Sequence, residues 1–240
     1  MPPASVGTRA RSRPAAAAPR APRRTHAQRR EEAEARLLDA ALAIVARRGA
    51  ARMTLAEVGE AAGYSRGLPA HRFGSKAGLV HALAGYIGAR FGQQRELGPA
   101  LAPGLESIVG NIHFYFSRSG SGRAGAKRGA SVKTGDDTQW TATRALLVMM
   151  TESLMETRSS ALREEVIDYN RKALAWFERH IQIGIAQGEI VRGTDASVTA
   201  VILLGAMRGA MLQWLVDDRI ALLAVRDRLL QMVDQVLRVR

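Results

Sequence analysis

The residues Thr54 to Phe73, TLAEVGEAAGYSRGLPAHRF, carry the densest set of groups with usable chemistry in the chain. Thr54 and Glu57, three apart, form a capping box that opens a short helix through about Ala61. Ala62-Gly63-Tyr64 is a tight turn, and Ser65 can cap another short helix reaching about Phe73. Leu55, Val58, Ala62 and Leu68 supply an inward side. That leaves Ser65, Arg66, Gly67, His71 and Arg72 outward, donors grouped around a residue with no side chain. A short helix with small residues at its start can enter a major groove about 12 Å wide, where such donors suit phosphate oxygens and base edges. A helical hairpin that merely packs against its own protein satisfies the same composition.

Other arrangements offer less. Gly120 to Gly125 satisfies G-x-G-x-x-G, but no helical pattern opens after it and no second βαβ half follows, so a solvated loop is the better reading. The five histidines (His26, His71, His81, His113, His180) lack metal-ligand spacing. Glu152 and Glu156 share a helical face, where a solvated face or a partnership with Arg158 is the usual explanation and acid–base work the less usual one. There is no cysteine, which excludes disulfides, thiolate metal sites and cysteine nucleophiles, and fits a reducing compartment. No G-x-S-x-G, Walker motif or triad spacing occurs. An enzyme would find no residues to work with, and no cofactor or metal is expected.

The elements that must position the Thr54–Phe73 segment are helical. Leu38, Ala41, Leu42 and Val45 fall at i, i+3, i+4, i+7, and Arg47-Arg48-Gly49 closes that helix. After Gly74-Ser75 a further helix carries Leu79, Val80, Leu83, Tyr86 and Ile87. Residues 98–104 form a Pro/Gly connector, and Leu105 to Phe116 is helical. Residues 117–139 have no periodicity and carry Arg118, Arg123, Lys127, Arg128 and Lys133, a flexible basic loop. Helices follow over Trp140–Met155, Ser160–Gln187, from a cap at Thr194 or Asp195 to Val216, and over Ile220–Leu237. The fold class predicted is all-α.

In 240 residues, 24% are charged and the formal net charge is +13. The first thirty residues hold eight arginines and no acid, among prolines and alanines. They cannot bury enough surface to offset their ordering entropy, so residues 1–30 are expected to be a disordered basic arm. Prolines forbid a long amphipathic transit helix, and there is no apolar run of secretory type. Such a basic balance points to a polyanionic partner.

The pieces ARLLDAALAIVARRG, MTLAEVGEAAGYSRG and HRFGSKAGLVHAL, in this order between Ala35 and Ile87, resemble the N-terminal domain of the TetR family of bacterial transcriptional regulators. The resemblance implies a helix-turn-helix domain at 31–91, with its motif at 54–73, and an effector-binding and dimerisation domain at 92–240. It further implies that Thr54 caps and touches a phosphate, that Ser65, Arg66 and Gly67 open the recognition helix, and that Lys76 grips the DNA backbone. Many relatives end that helix with Tyr-x-His-Phe. Here the run is Ala70-His71-Arg72-Phe73, so His71 and Arg72 are candidates for contacts the tyrosine makes, and Pro69 stands inside the short helix.

Aromatic and thioether side chains concentrate C-terminally. Phe114, Trp140, Met149, Met150 and Trp176 together are candidates for an apolar effector pocket, although a helical core is the better explanation of each one alone. Ala196 to Val216 is apolar enough to span a membrane, but Arg208 near its middle makes insertion costly by about 2.5–3.5 kcal/mol. Gly205 and Gly209 instead suggest close helix packing, and with Leu229, Val233 and Val236 they are the expected homodimer interface. The expected function is a cytoplasmic homodimer that binds palindromic double-stranded operator DNA and is released by an unidentified small-molecule effector, with no membrane partner. The rival is a helical ligand-binding or enzymatic protein whose basic arm holds nucleic acid without sequence preference.

Overall fold

The computed structural model of the chain describes residues 25–96, 100–120, 137–155 and 160–239. Among the described residues there are nine helices and no strand. They are α1 (His26–Arg48), α2 (Leu55–Ala61), α3 (Leu68–Phe73), α4 (Lys76–Glu96), α5 (Leu105–Gly120), α6 (Asp137–Ser153), α7 (Ala161–Ala186), α8 (Ala196–Val216) and α9 (Leu222–Leu237). One isolated antiparallel bridge joins Ile190 to Arg238.

The all-α expectation holds, and the helix ends follow local chemistry. Thr25 begins α1 with a capping box, its hydroxyl accepting from the Gln28 amide while the Gln28 side chain accepts from the Thr25 amide. That start corrects the expected arm: residues 26–30 are helical, because a cap at Thr25 precedes a proline-free run. Residues 1–24 lie outside the described residues. Thr54 and Glu57 form the expected box on α2. Ser160 caps α7 and Asp195 caps α8, the latter accepting from the Ser197 and Val198 amides. Hydrogen bonds from the Val198 amide first, then from Ser197, hold the Asp195 carboxyl below its usual range.

The buried side chains fall into two clusters. The first joins Leu37, Leu42 and Val45 of α1 to Val58 of α2 and to Leu79, Leu83 and Ile87 of α4. It continues into Ala142, Ala145 and Met149 of α6 and Leu162 and Val166 of α7. The second joins Ile108, Ile112 and Phe116 of α5 to Phe177 and Ile181 of α7, Leu203 and Met207 of α8, and Val233 of α9. α6 and α7 therefore serve both clusters. α4 runs continuously across the expected boundary at 91/92, so the two halves share a rod and a core rather than a linker.

A polar contact between α6 and the end of α1 helps fasten this junction. The Glu152 carboxylate, near the end of α6, accepts from the Ala50 amide at 2.6 Å, just past the end of α1. Ala50 itself is buried, so this amide has little access to water. Of the acid pair read from sequence, Glu152 is thus committed to the neighbouring domain. Glu156 and Arg158 lie outside the described residues, as does the stretch 121–136 that contains most of the Gly-rich motif and of the basic loop.

Candidate functional site

The helix-turn-helix is built by close backbone approach. Gly59 of α2 is buried, and a Cβ there would stand 2.5 Å from the Ser65 carbonyl oxygen and 3.2 Å from Pro69 Cδ. Only glycine lets the chain after the turn lie so near α2. The turn takes positive φ at Gly63, and the Tyr64 amide donates back to the Gly59 carbonyl at 2.8 Å. Tyr64 and Leu68 then pack onto the first core cluster.

The recognition helix starts later than the sequence suggests. Ser65 does not cap it. Gly67 occupies the N-cap position with no side-chain bond, while the Ser65 carbonyl accepts from the Leu68 amide in a preceding turn. Pro69 therefore sits at the second helical position, where a missing N–H breaks no intrahelical bond. It is buried and faces α2 rather than interrupting the helix.

The side chains expected to face outward are exposed. Ser65, Arg66, Gly67, Ala70, His71, Arg72 and Lys76 are all exposed. Gly67 has ordinary αR geometry, φ −85° and ψ −17°, and a Cβ there would meet nothing within 4 Å. Its own protein does not require a glycine at this position. Lys76, opening α4, donates from Nζ to the Ala51 carbonyl at 2.6 Å. Arg72 is hydrogen-bonded to Glu34 of α1, and Arg66 pairs with Glu60 at 3.1 Å with its side chain largely in water. Arg72 is tied to Glu34 through Nε and one terminal nitrogen, whereas Arg66 is held by a weak surface pair. The Thr54 hydroxyl is engaged with Glu57, and Arg48 also holds Glu57 at 3.0 Å. The Arg48 bond, then the Thr54 bond, lower the Glu57 carboxyl below its usual range. Arg52, on the loop before Thr54, is also exposed.

A cavity of about 580 Å³ lies between α4, α5, α7 and α8. Of the four predicted pocket residues whose side chains are described, Phe114 and Trp176 line it. Met149 is buried in the first core cluster and Met150 packs against it, because that face of α6 meets α1 rather than the cavity. Trp140 lies in the first turn of α6, and its side chain is outside the described residues. The residues that sequence missed are the polar ones: His81 and Glu165 stand 2.6 Å apart, Asp168 meets Lys172 at 2.6 Å, and Arg208 lines the wall from α8. No periodicity separates these from ordinary solvated positions; only the packing of α4 on α7 and α8 on α7 gathers them.

α8 and α9 leave apolar surface uncovered. Val198, Val201, Ile202, Leu212 and Val216 of α8 are exposed, in the same stripe as Gly205 and Gly209. On α9 the exposed large apolar residues are Leu223, Val225, Met232 and Val236. The interface expected at Leu229 and Val233 is corrected: Val233 is buried and Leu229 packs into the subunit's own second cluster, because α9 turns that stripe toward α5. By length and composition Ala196–Val216 is the one helix among the described residues able to cross a membrane, yet a third of it is buried in the protein and it carries Arg208.

Comparison with known proteins agrees with this geometry. The family model for bacterial regulatory proteins of the tetR family matches residues 37–83. A TetR transcriptional regulator from Chloroflexus aurantiacus superposes with TM-score 0.69 at 21% identity, covering 88% of this chain and 98% of that one. The transcriptional regulator FadR from Bacillus subtilis, solved with stearoyl-CoA, gives TM-score 0.61 at 18% identity, covering 83% and 96%. SmeT, the repressor of the Stenotrophomonas maltophilia multidrug efflux pump SmeDEF, gives 0.62 at 21%, covering 86% and 90%. No curated protein sequence matches the chain.

Proposed function

We propose, from the premise that the N-terminal domain of this chain belongs to the tetR family of bacterial regulators, that the protein is a cytoplasmic homodimeric repressor. Two copies of α3 would read a palindromic operator, and a small molecule in the cavity would release it. DNA-binding regulation follows from the family itself. The observation that carries the rest is the outward face of α3: exposed Ser65 and Arg66 precede a helix start at Gly67 with no side chain to hold DNA away, and exposed His71 and Lys76 follow along α3 and at the start of α4.

Dimerisation is supported by the apolar stripe on α8 and α9. An exposed apolar stripe of this kind calls for a cover, and Gly205 and Gly209 let a second helix approach closely. A two-fold partner would set two recognition helices facing successive grooves. Effector control is supported by the cavity's position. Its walls include α4, whose first residue, Lys76, lies beside the recognition helix, and α7, which shares the first core cluster. A ligand that favours one spacing of the two α4 rods would shift operator affinity by its difference in affinity for the two spacings. SmeT, a repressor, has the same fold.

The test is binding to DNA fragments from the protein's own genomic neighbourhood against random duplex, across a salt series. The regulator prefers its site by about 10³–10⁷ over random sequence. A basic-arm binder shows a salt slope without preference, and truncating residues 1–24, which spares the Thr25 cap, abolishes its binding.

A further inference from the structure

We propose that the cavity takes an amphipathic anion, an apolar body with one carboxylate-type head, and that Arg208 binds the head. The inference rests on the cavity being the effector site and names the ligand chemistry.

The charges lining the cavity are not equivalent. His81 stands against Glu165 at 2.6 Å, and Lys172 against Asp168 at 2.6 Å. These four satisfy one another, and the His81, Lys172 and Asp168 side chains are more than half exposed, which places them at the cavity's solvent side. Arg208 is different. It is largely buried, near the middle of an apolar helix, and lines the cavity wall together with Leu204 and Met207 of the same helix. Among the described residues it has no carboxylate partner. Its partners are neutral: the Asn170 amide oxygen accepts from it, the face of the Tyr169 ring lies 6.0 Å from the guanidinium carbon, and the Tyr115 phenol is within electrostatic reach. Burial pulls the guanidinium below its usual range, but an arginine stays charged.

A buried cation without a counter-charge is costly to keep. One amide oxygen and one ring engage only part of a guanidinium with five N–H donors. The fork suits a carboxylate or phosphate with two parallel bonds. Around it the cavity is apolar and aromatic, through Phe91, Phe114 and Trp176. At about 580 Å³ it lies within the roughly 300–1,000 Å³ that holds ordinary small ligands. A bound anion would supply the missing counter-charge and fill the apolar space with its body.

The test uses the full-length protein and three probes sharing one chain length: decanoate, decanol and decyltrimethylammonium, titrated by calorimetry. Decanoate is expected to bind roughly tenfold or more tighter than decanol, the value of a charged hydrogen-bonded pair. In Arg208→Met that preference collapses, so that decanoate and decanol bind alike. Decanol or decyltrimethylammonium binding as tightly as decanoate to the unaltered protein overturns the proposal and leaves the effector-site reading standing. A preference retained in Arg208→Met overturns it too. If the variant does not fold, the head-group order in the unaltered protein decides alone. Binding of none of the three overturns both readings. Decanoate binding that does not release DNA supports the anion site and removes the effector role.

Discussion

The substitution Gly67→Ala separates the fold from its use. Inside the protein an added methyl meets no atom within 4 Å, and φ −85°, ψ −17° suits any residue. Removing a glycine's freedom in the unfolded chain stabilises by about 0.4–1 kcal/mol at such a site. Alanine is poorer than glycine at an N-cap, at a cost of roughly 0.5–1 kcal/mol. The two nearly cancel, so the net is within about 0.5 kcal/mol and the melting temperature moves by no more than about 2 °C. Against DNA the methyl stands at the helix start, where backbone and base edges must come together. Displacing the helix by even part of a methyl radius lengthens the base-edge hydrogen bonds, and loss of one good pair is worth about 1–3 kcal/mol. Operator affinity should fall roughly 5–150-fold, read by fluorescence anisotropy with a labelled duplex, while thermal unfolding stays put. Unchanged affinity would show that the start of α3 does not meet DNA. A clear fall in melting temperature would show that Gly67 serves the fold, contrary to its open surroundings.

Gly59→Ala should behave in the opposite way: a Cβ 2.5 Å from the Ser65 carbonyl forces the turn off α2, costing about 1–3 kcal/mol by chemical denaturation, although alanine is the better helix former. Arg66→Ala should weaken operator binding by about 1–3 kcal/mol with little loss on random duplex, measured by competition titration, because the Glu60 pair it leaves is solvent-exposed. Glu152→Ala removes a charged acceptor from the buried Ala50 residue and should cost about 2 kcal/mol, or roughly 4–8 °C by calorimetry, with Glu152→Gln intermediate. Ile202→Lys, on the exposed stripe of α8, should leave helicity intact and give monomers in sedimentation. Glu57 is held below its ordinary 4.5, so its stabilisation is present above that pH and disappears as pH falls through the lowered value. The melting-temperature gap between the unaltered protein and Glu57→Gln should therefore be widest near neutrality and close under acid.

Local order is legible in the residues themselves. Thr54 with Glu57, Ser160 and Asp195 start their helices where a cap chemistry demands it, and the period of Leu38, Ala41, Leu42 and Val45 marks the face that is buried. Those signals depend on neighbours within one or two turns of chain. An all-helical protein, its helix-turn-helix and the outward set around Gly67 therefore follow from the order of amino acids alone. What that order left open depended on partners far along the chain. Apolar period says that a face is covered, not by what: Met149 met α1 instead of the cavity, and Val233 met α5 instead of a second subunit. Polar residues carry no period at all. Only the packing of α8 on α7 put Arg208, in the middle of an apolar helix, at a cavity wall with neutral groups for company.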